Sequence, residues 1–311
     1  MKRKISILLV LALLLCSLVA CDSSDYKKAD ELFAQGNYQE AAAIFDALGD
    51  YEDSADRAVE SKYLQAGQLL EAGNYAEAIA LYKEVLSYQD AEEKLAEAER
   101  QQMYATYADV FSALEQSVWF YEATSVNAVN VISFTKENAE LKQIYYDGNG
   151  KHTTTANVCQ YGVTDTEIVV VQQDGSELKL EYTLNGSELS LGEKYFTPEQ
   201  VAAGLEGYWG LKDISYNMFT GFSTSEYIYY FENGNVKFES ATTAYGYSDG
   251  TYYYYGPYEG TYVVNGEGLV VEARNEWQFG FVISEGKVAM CRCGDILKPY
   301  DGFKGEDGFS F

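Results

Sequence analysis

A set of residues recurs at a spacing of 37 in the first third of the chain. The first copy contains Ala29, Leu32, Gly36-Asn37-Tyr38, Ala41, Phe45, Leu48, Tyr51 and Asp53; the second contains Ala66, Leu69, Gly73-Asn74-Tyr75, Ala78, Tyr82, Val85, Tyr88 and Asp90. Small and large apolar residues three and four positions apart predict two amphipathic helices in each copy. The Gly-Asn pair predicts a tight turn between them, because both residues accept positive φ at low cost. A chain with this pattern is expected to fold into stacked helical hairpins.

The small and large residues before Gly-x-Tyr, with an alanine and an aromatic after it, resemble tetratricopeptide repeats. The unit is longer than the usual ~34 residues, and aspartate stands where that family ends its unit with proline. The resemblance implies a peptide-binding or partner-binding inner face on the first helix of each pair. That face would present Tyr26, Asp30, Phe33, Tyr63, Leu70 and Glu71. The alternative is that these side chains pack against neighbouring helices.

The region that follows the repeats is helical in composition and contains no turn signal between Asp90 and about Leu114. We interpret it as one long capping helix. The helical domain, with its repeats and capping helix, is therefore predicted to cover residues 21–115.

From Trp119 onward, short alternating runs rich in Tyr, Val and Thr replace the charged helix formers. Asn-Gly and Asp-Gly pairs separate these runs, which predicts antiparallel hairpins. Thr197-Pro198-Glu199-Gln200 predicts a short helix with a capping box and proline at its first position. We place a boundary there, between β module 1 (116–200) and β module 2 (201–300), which have a similar order of features and are interpreted as tandem copies. The fold class is thus α+β and multidomain, with each β module a small barrel or half-barrel.

Gly207-Tyr208-Trp209 resembles the G-x-W sequence of lipocalin-like barrels. In that family the tryptophan closes one end of the barrel and an arginine from a late strand lies across it. The resemblance implies that Trp209 and Arg292 form this closing pair. A half-open sheet or a sandwich is the structural alternative.

The beginning of the chain has a basic start followed by an apolar run from Ile5 to Ala20. These are the parts of a secretory signal, and the run is short for a membrane span. Leu18-Val19-Ala20-Cys21 resembles the lipobox of bacterial lipoproteins. The resemblance implies that residues 1–20 are removed and that Cys21 carries a diacylglycerol thioether and further acyl groups such as palmitate. We therefore expect an extracytoplasmic protein anchored to the lipid bilayer of a bacterial cell membrane; the alternative is an ordinary secretory signal followed by a chance cysteine.

The formal net charge of the chain is −26. Such a surface repels nucleic acid, so we expect no nucleic-acid partner. An apolar fraction of 47% excludes a disordered chain and indicates packed domains.

The sequence offers few groups for catalysis or metal binding. Its one histidine, His152, is far in sequence from Cys291 and Cys293, so we expect no metal site and no cofactor. Cys159, Cys291 and Cys293 are predicted to be buried free thiols, although a disulfide from Cys159 to either of the others stays open. No nucleophile elbow, zinc-protease motif or phosphate loop is present, and we predict no catalytic residue.

The densest aromatic cluster runs from Tyr252 to Tyr262. Gly256-Pro257 interrupts it and predicts a turn or sheet edge, with Tyr255 and Tyr258 partly exposed and able to bind a partner. We therefore expect a non-enzymatic binding or scaffold protein that recognises a protein or an envelope component. The alternatives are a carrier of a small apolar ligand in β module 2 and a carboxylate-dependent hydrolase. Residues 301–311 are predicted to be a flexible tail.

Overall fold

The computed structural model describes residues 22–125, 127–147, 150–217, 221–245, 250–273, 279–292 and 295–299. Contacts divide the chain into two compact units, Met1–Ala108 and Asp109–Phe311. We call them the helical unit and the β unit. The architecture is α+β, with helices followed by antiparallel sheets, one of which curls into a half-barrel.

The helical unit consists of successive antiparallel helices with short connections. They are α1 (22–34), α2 (Tyr38–Leu48), α3 (Ser54–Glu71), α4 (Tyr75–Glu84) and α5 (Ala91–Thr106). The predicted long capping helix is interrupted at Tyr107, and α6 (Ala108–Leu114) follows as a separate helix.

Both predicted Gly-Asn turns are present and have the same geometry. Gly36 and Gly73 each adopt φ of +79°, a conformation that residues with a Cβ rarely adopt. The backbone N–H of Asn37 donates to Leu32 O at 2.9 Å, and Asn74 donates to Leu69 O at 2.8 Å. These bonds satisfy the last carbonyls of α1 and α3 and allow the next helix to turn back.

The helices pack through small residues that have no exposed surface. Ala29, Ala41 and Phe45 form the centre of one cluster, and Ala66 and Ala78 belong to the next. Alanine at these positions lets neighbouring helices approach closely, while aromatic side chains fill the remaining space.

The β unit contains strands joined mostly by tight hairpins. They are β1 (Val118–Glu122), β2 (Ala128–Phe134), β3 (Asn138–Asp147), β4 (Gly150–Thr153), β5 (Asn157–Val163), β6 (Glu167–Val171), β7 (Glu177–Glu181), β8 (Thr183–Asn185), β9 (Glu188–Ser190), β10 (Tyr195–Phe196), β11 (Gly207–Asn217), β12 (Gly221–Glu232), β13 (Asn235–Tyr245), β14 (Gly250–Asn265), β15 (Gly268–Ala273), β16 (Phe279–Ser284), β17 (Lys287–Arg292), β18 (Asp295–Ile296) and β19 (Lys298–Pro299).

The two largest sheets have a common connectivity. One follows the order β10-β1-β2-β3-β5-β6-β7 with β4 paired to β3, and the other follows β15-β14-β13-β12-β11-β19. In each sheet a late strand, β10 or β19, pairs with the first strand of the same sheet. Two smaller sheets, β16-β17-β18 and β8-β9, complete the described strands.

One hydrophobic cluster contains buried side chains from both halves of the β unit. Phe120 and Ile144 from the first half belong to the same buried cluster as Trp209, Phe231 and Phe281 from the second. The rings of Phe120 and Phe281 meet edge to face at 5.1 Å between centroids. The predicted boundary at residue 200 is therefore crossed by buried side chains.

The predicted helix at the module boundary is confirmed as α7 (Pro198–Leu205). The Thr197 hydroxyl accepts from the backbone N–H of Gln200, and the Gln200 side chain accepts from the Thr197 N–H. This capping box fixes the start of the helix, and Val201 and Leu205 enter the core.

Candidate binding site

The register of four neighbouring strands places a row of polar and aromatic residues on one face of the six-stranded sheet. Tyr208 on β11 lies opposite Tyr230 on β12, which lies opposite Lys237 on β13. Lys237 in turn lies opposite Glu259 on β14. Directly opposite residues of antiparallel strands point to the same face and contact each other, so this row forms a continuous surface.

Two tyrosines of this row are stacked. The ring centroids of Tyr208 and Tyr230 are 4.3 Å apart and the ring planes differ by 29°. Tyr208 remains 41% exposed, one of the most exposed large apolar side chains among the described residues. We call this pair the tyrosine platform. It offers a flat aromatic surface whose position is fixed by the strands beneath it.

A shallow pocket of about 130 Å³ lies beside the tyrosine platform. Its described lining residues are Tyr208, Ile228, Tyr230, Lys237 and Glu239. The pocket therefore combines an apolar floor with one cation and one carboxylate, the composition expected where a small polar group is recognised.

Glu239 is held in place by an irregularity in the neighbouring strand. Gly256 and Pro257 of β14 lie opposite this one residue of β13, between the regular pairs Phe238–Tyr258 and Ser240–Tyr255. Gly256 adopts φ of +117°, and a Cβ there would come within 2.8 Å of the Phe238 carbonyl oxygen. Only glycine fits this bulge without strain, and Glu239, 6% exposed, packs over it.

Charges around the tyrosine platform are mostly negative. Partial burial, together with a hydrogen bond to Glu232, raises the pKa of Tyr230. Lys237 Nζ lies 3.1 Å from Glu259 Oε1 in an exposed ion pair. An exposed pair of this kind is weak and can rearrange when a ligand binds.

Four of the six residues of the predicted inner face are candidates for partner binding, and all four make contacts within the helical unit. They are Tyr26, Phe33, Tyr63 and Leu70. The hydroxyl of Tyr26 donates to Asp53, and 37 residues later Tyr63 donates to Asp90. Their rings also pack edge to face, Tyr26 on Phe45 at 5.6 Å and Tyr63 on Tyr82 at 5.9 Å between centroids.

The other two of these four candidates, Phe33 and Leu70, are also packed. Phe33 lies between the ring of Tyr38 and the guanidinium of Arg57, which is 3.9 Å from the Phe33 centroid. Leu70 is half-buried against the second core cluster. These contacts match the packing alternative.

Two open grooves of the helical unit occupy equivalent positions. One, of about 350 Å³, lies at the start of α2 beside Gln65 and Gln68; the other, of about 390 Å³, lies at the start of α4 beside Gln102. Each is lined by a Gly-Asn-Tyr turn together with glutamine and glutamate side chains, and neither contains the predicted residues Tyr26, Phe33, Tyr63 and Leu70.

The predicted binding residues Tyr255 and Tyr258 flank the bulge of β14. Tyr258 is half-buried and stacks on Phe238, with 6.1 Å between centroids. The backbone of Tyr255 pairs with Ser240, but its side chain lies outside the described part of the structure. Gly256-Pro257 forms the bulge, and the described pairing of β14 with β15 begins only after it, at Gly260.

Trp209 and Arg292 are both placed near the core. The Trp209 indole is buried and donates to the Leu205 carbonyl at 2.7 Å. The Arg292 guanidinium lies 3.7 Å from the centroid of the Tyr227 ring. Tyr227 belongs to β12, the strand next to β11. Their assignment as a barrel-closing pair stays a prediction.

Cys159 and Cys291 are buried free thiols, and burial raises the pKa of Cys159. Cys21 and Cys293 lie outside the described residues, as does the predicted tail 301–311. The described residues contain no group of three or more His, Cys, Asp and Glu side chains placed to hold a metal ion. Among the helices they form, none has the length and apolar character needed to cross a membrane.

Sequence reasoning missed the tyrosine platform. Tyr208 lies inside the Gly207-Tyr208-Trp209 sequence, where the lipocalin resemblance implies a role for the tryptophan alone. The available signal was the alternation of side chains along a strand, because a residue next to a buried tryptophan points to the opposite face.

Comparisons of the chain with models of protein families, with curated proteins and with solved structures found no match. No function is therefore transferred to it from a relative.

Proposed function

We propose that this chain is a non-enzymatic binding lipoprotein of a bacterial envelope, anchored through acylated Cys21, that recognises an envelope component or partner with the tyrosine platform. The observation that carries the binding role is the exposed Tyr208–Tyr230 stack beside the pocket. Tyrosine is enriched at binding surfaces because it combines a large rigid ring with a hydrogen-bonding hydroxyl.

The packing of the β unit supports surface binding over carriage of an apolar ligand. The core face of the six-stranded sheet is filled by Trp209, Tyr229 and Phe231, and the ring of Phe279 packs at an angle against the last two. An apolar ligand would have to displace these side chains, whereas a ligand at the tyrosine platform displaces only water.

The helical unit is proposed to be two tetratricopeptide-like hairpins that act as a stalk or docking element. Support comes from the contacts that recur 37 residues apart, including the turns at Gly36 and Gly73 and the Tyr–Asp bonds. Because the aromatic residues of its proposed inner face are used in packing, we assign partner recognition to the β unit.

Two variants of the full-length protein test the proposal. Cys21→Ala is expected to release the protein from the membrane fraction or to stop its processing, because stable attachment needs the acyl chains. Tyr208→Ala is expected to keep the protein in the membrane but to weaken retention of the envelope component captured by the unchanged protein. A processed Cys21→Ala protein that stays wholly in the membrane would contradict the anchor, and full retention by Tyr208→Ala would contradict the platform.

A further inference from the structure

The composition of the pocket points to a ligand class, an inference that rests on the proposed function. We propose that the tyrosine platform binds a neutral saccharide of the envelope, with one sugar ring stacked on Tyr208 and its hydroxyl groups hydrogen-bonded to Glu239 and Lys237.

The floor of the pocket suits one apolar face of a sugar ring. Tyr208 is exposed, and Tyr230 supports it from the next strand at 4.3 Å between centroids. Ile228, 6% exposed, extends the apolar surface at the base of the pocket. A pyranose presents a flat set of C–H groups that pack on such a ring, where weak C–H contacts add to the removal of water.

The charges of the lining disfavour an anionic ligand. Glu239 lines the pocket, Glu232 lies beside Tyr230, and Lys237 is paired with Glu259. A neutral polyol can use both kinds of charged group, because each hydroxyl can donate to the carboxylate and accept from the ammonium group. Charge therefore disfavours an acidic polymer, and the hexalysine probe used below separates a saccharide from a basic peptide.

The carboxylate is positioned before a ligand arrives. Glu239 packs against the bulge at Gly256: a Cβ placed on that glycine would lie 3.3 Å from the Cγ of Glu239. Its 6% exposure leaves little freedom to the side chain. A group that is already fixed loses less conformational entropy on binding, which gives affinity even from a small pocket.

The test measures binding of the full-length protein, in a detergent without sugar headgroups, to neutral oligosaccharides of gluco-, galacto-, manno- and N-acetylhexosamine configuration. Hexalysine and polygalacturonate serve as cationic and anionic probes. We expect at least one neutral oligosaccharide to bind, Tyr208→Ala to weaken it about tenfold or more, and Tyr208→Phe to weaken it much less. Glu239→Gln should weaken it by a similar factor, since a charged acceptor becomes neutral. Val171→Ala, an exposed control on another sheet, should have no effect.

The outcomes separate this inference from the proposed function. If no neutral saccharide of the panel binds, or if only hexalysine or polygalacturonate binds, the saccharide inference is overturned. A charged probe whose binding is lost in Tyr208→Ala would still support the platform as a binding surface. Saccharide binding that is unchanged in both Tyr208→Ala and Glu239→Gln would overturn the inference and the proposed site together.

Discussion

Gly280 lies under the ring of Tyr146 in the core of the β unit. A Cβ at this position would come within 2.0 Å of the Tyr146 ring. The ring has little room to move aside, since Tyr146 is only 3% exposed. This position of β16 therefore requires glycine, because a tyrosine of β3, from the other half of the β unit, fills the space that a side chain would need. Contacts of this kind make the two halves depend on each other.

Gly280→Ala is expected to lower the free energy of unfolding of the β unit by about 3 kcal/mol, because the added methyl group overpacks a filled site. Gly266→Ala is the matched control, since a Cβ there would make only an ordinary contact of 3.6 Å with Val118. Denaturant unfolding of both variants checks the prediction. Equal stability of the two variants would show that the ring of Tyr146 does not lie on Gly280.

The Tyr26–Asp53 and Tyr63–Asp90 bonds make the stability of the helical unit sensitive to alkaline pH. The hydrogen bond to aspartate, followed by burial, raises the pKa of Tyr26 and of Tyr63 from 10.0 to about 12. As pH rises, the unfolded chain loses these protons first, so the stabilisation is complete below pH 10 and is lost between pH 10 and 12.

We therefore expect the helical signal of the full chain to melt at steadily lower temperature from pH 10 to 12. The Tyr26→Phe/Tyr63→Phe variant should be less stable at pH 8 but should lose less stability over this range. Thermal melts followed by circular dichroism measure both slopes. Parallel pH slopes in the two proteins would contradict the assigned bonds.

At the scale of elements, local signals were the most informative part of the sequence. The Gly-Asn turns and the start of α7 were predictable because each depends on residues within one helical turn. The tyrosine platform was not, because Tyr208 and Tyr230 are brought together by the register of β11 and β12. The role of Tyr63 was equally hidden, since its partner Asp90 lies 27 residues away. Register and long-range pairing depend on the whole sheet or helix stack and leave no short sequence pattern.

Thr197→Ala is expected to destabilise the β unit by about 1 kcal/mol, because the backbone N–H of Gln200 loses its acceptor at the start of α7. Thr197→Ser keeps the oxygen and should cost much less. Chemical denaturation of the two variants gives the comparison. A serine variant as unstable as the alanine variant would mean that the methyl group, and not the capping bond, is the stabilising part.

At the scale of the whole molecule, one buried cluster contains side chains from both predicted β modules. Beyond the buried cluster, Lys142 on β3 bonds Glu267 in the β14–β15 turn at 2.7 Å, and Lys151 bonds the backbone of the same residue. Links between the halves at both core and surface predict cooperative unfolding of residues 116–299.

Phe281→Ala removes a fully buried ring that contacts Phe120, so we expect a loss of about 3–5 kcal/mol. Hydrogen exchange should speed up in β2 and β3 as well as in β12 and β13, because all four belong to one cooperative unit. The exchange rates of α2 and α4 serve as the internal reference. Faster exchange confined to β12 and β13 would show that the two modules fold independently.

Photo-crosslinking shows most directly whether an envelope component contacts the tyrosine platform on the anchored protein. The crosslinking residue p-benzoylphenylalanine replaces Glu259, an exposed residue of the same row outside the described pocket lining, in the full chain produced in bacterial cells. The same residue replaces the exposed Val171 in a control. We expect an envelope adduct from position 259 that disappears when Tyr208→Ala is added, and no such adduct from position 171. An adduct from position 171 alone, or an adduct from position 259 that persists without the Tyr208 ring, would contradict the proposed binding surface.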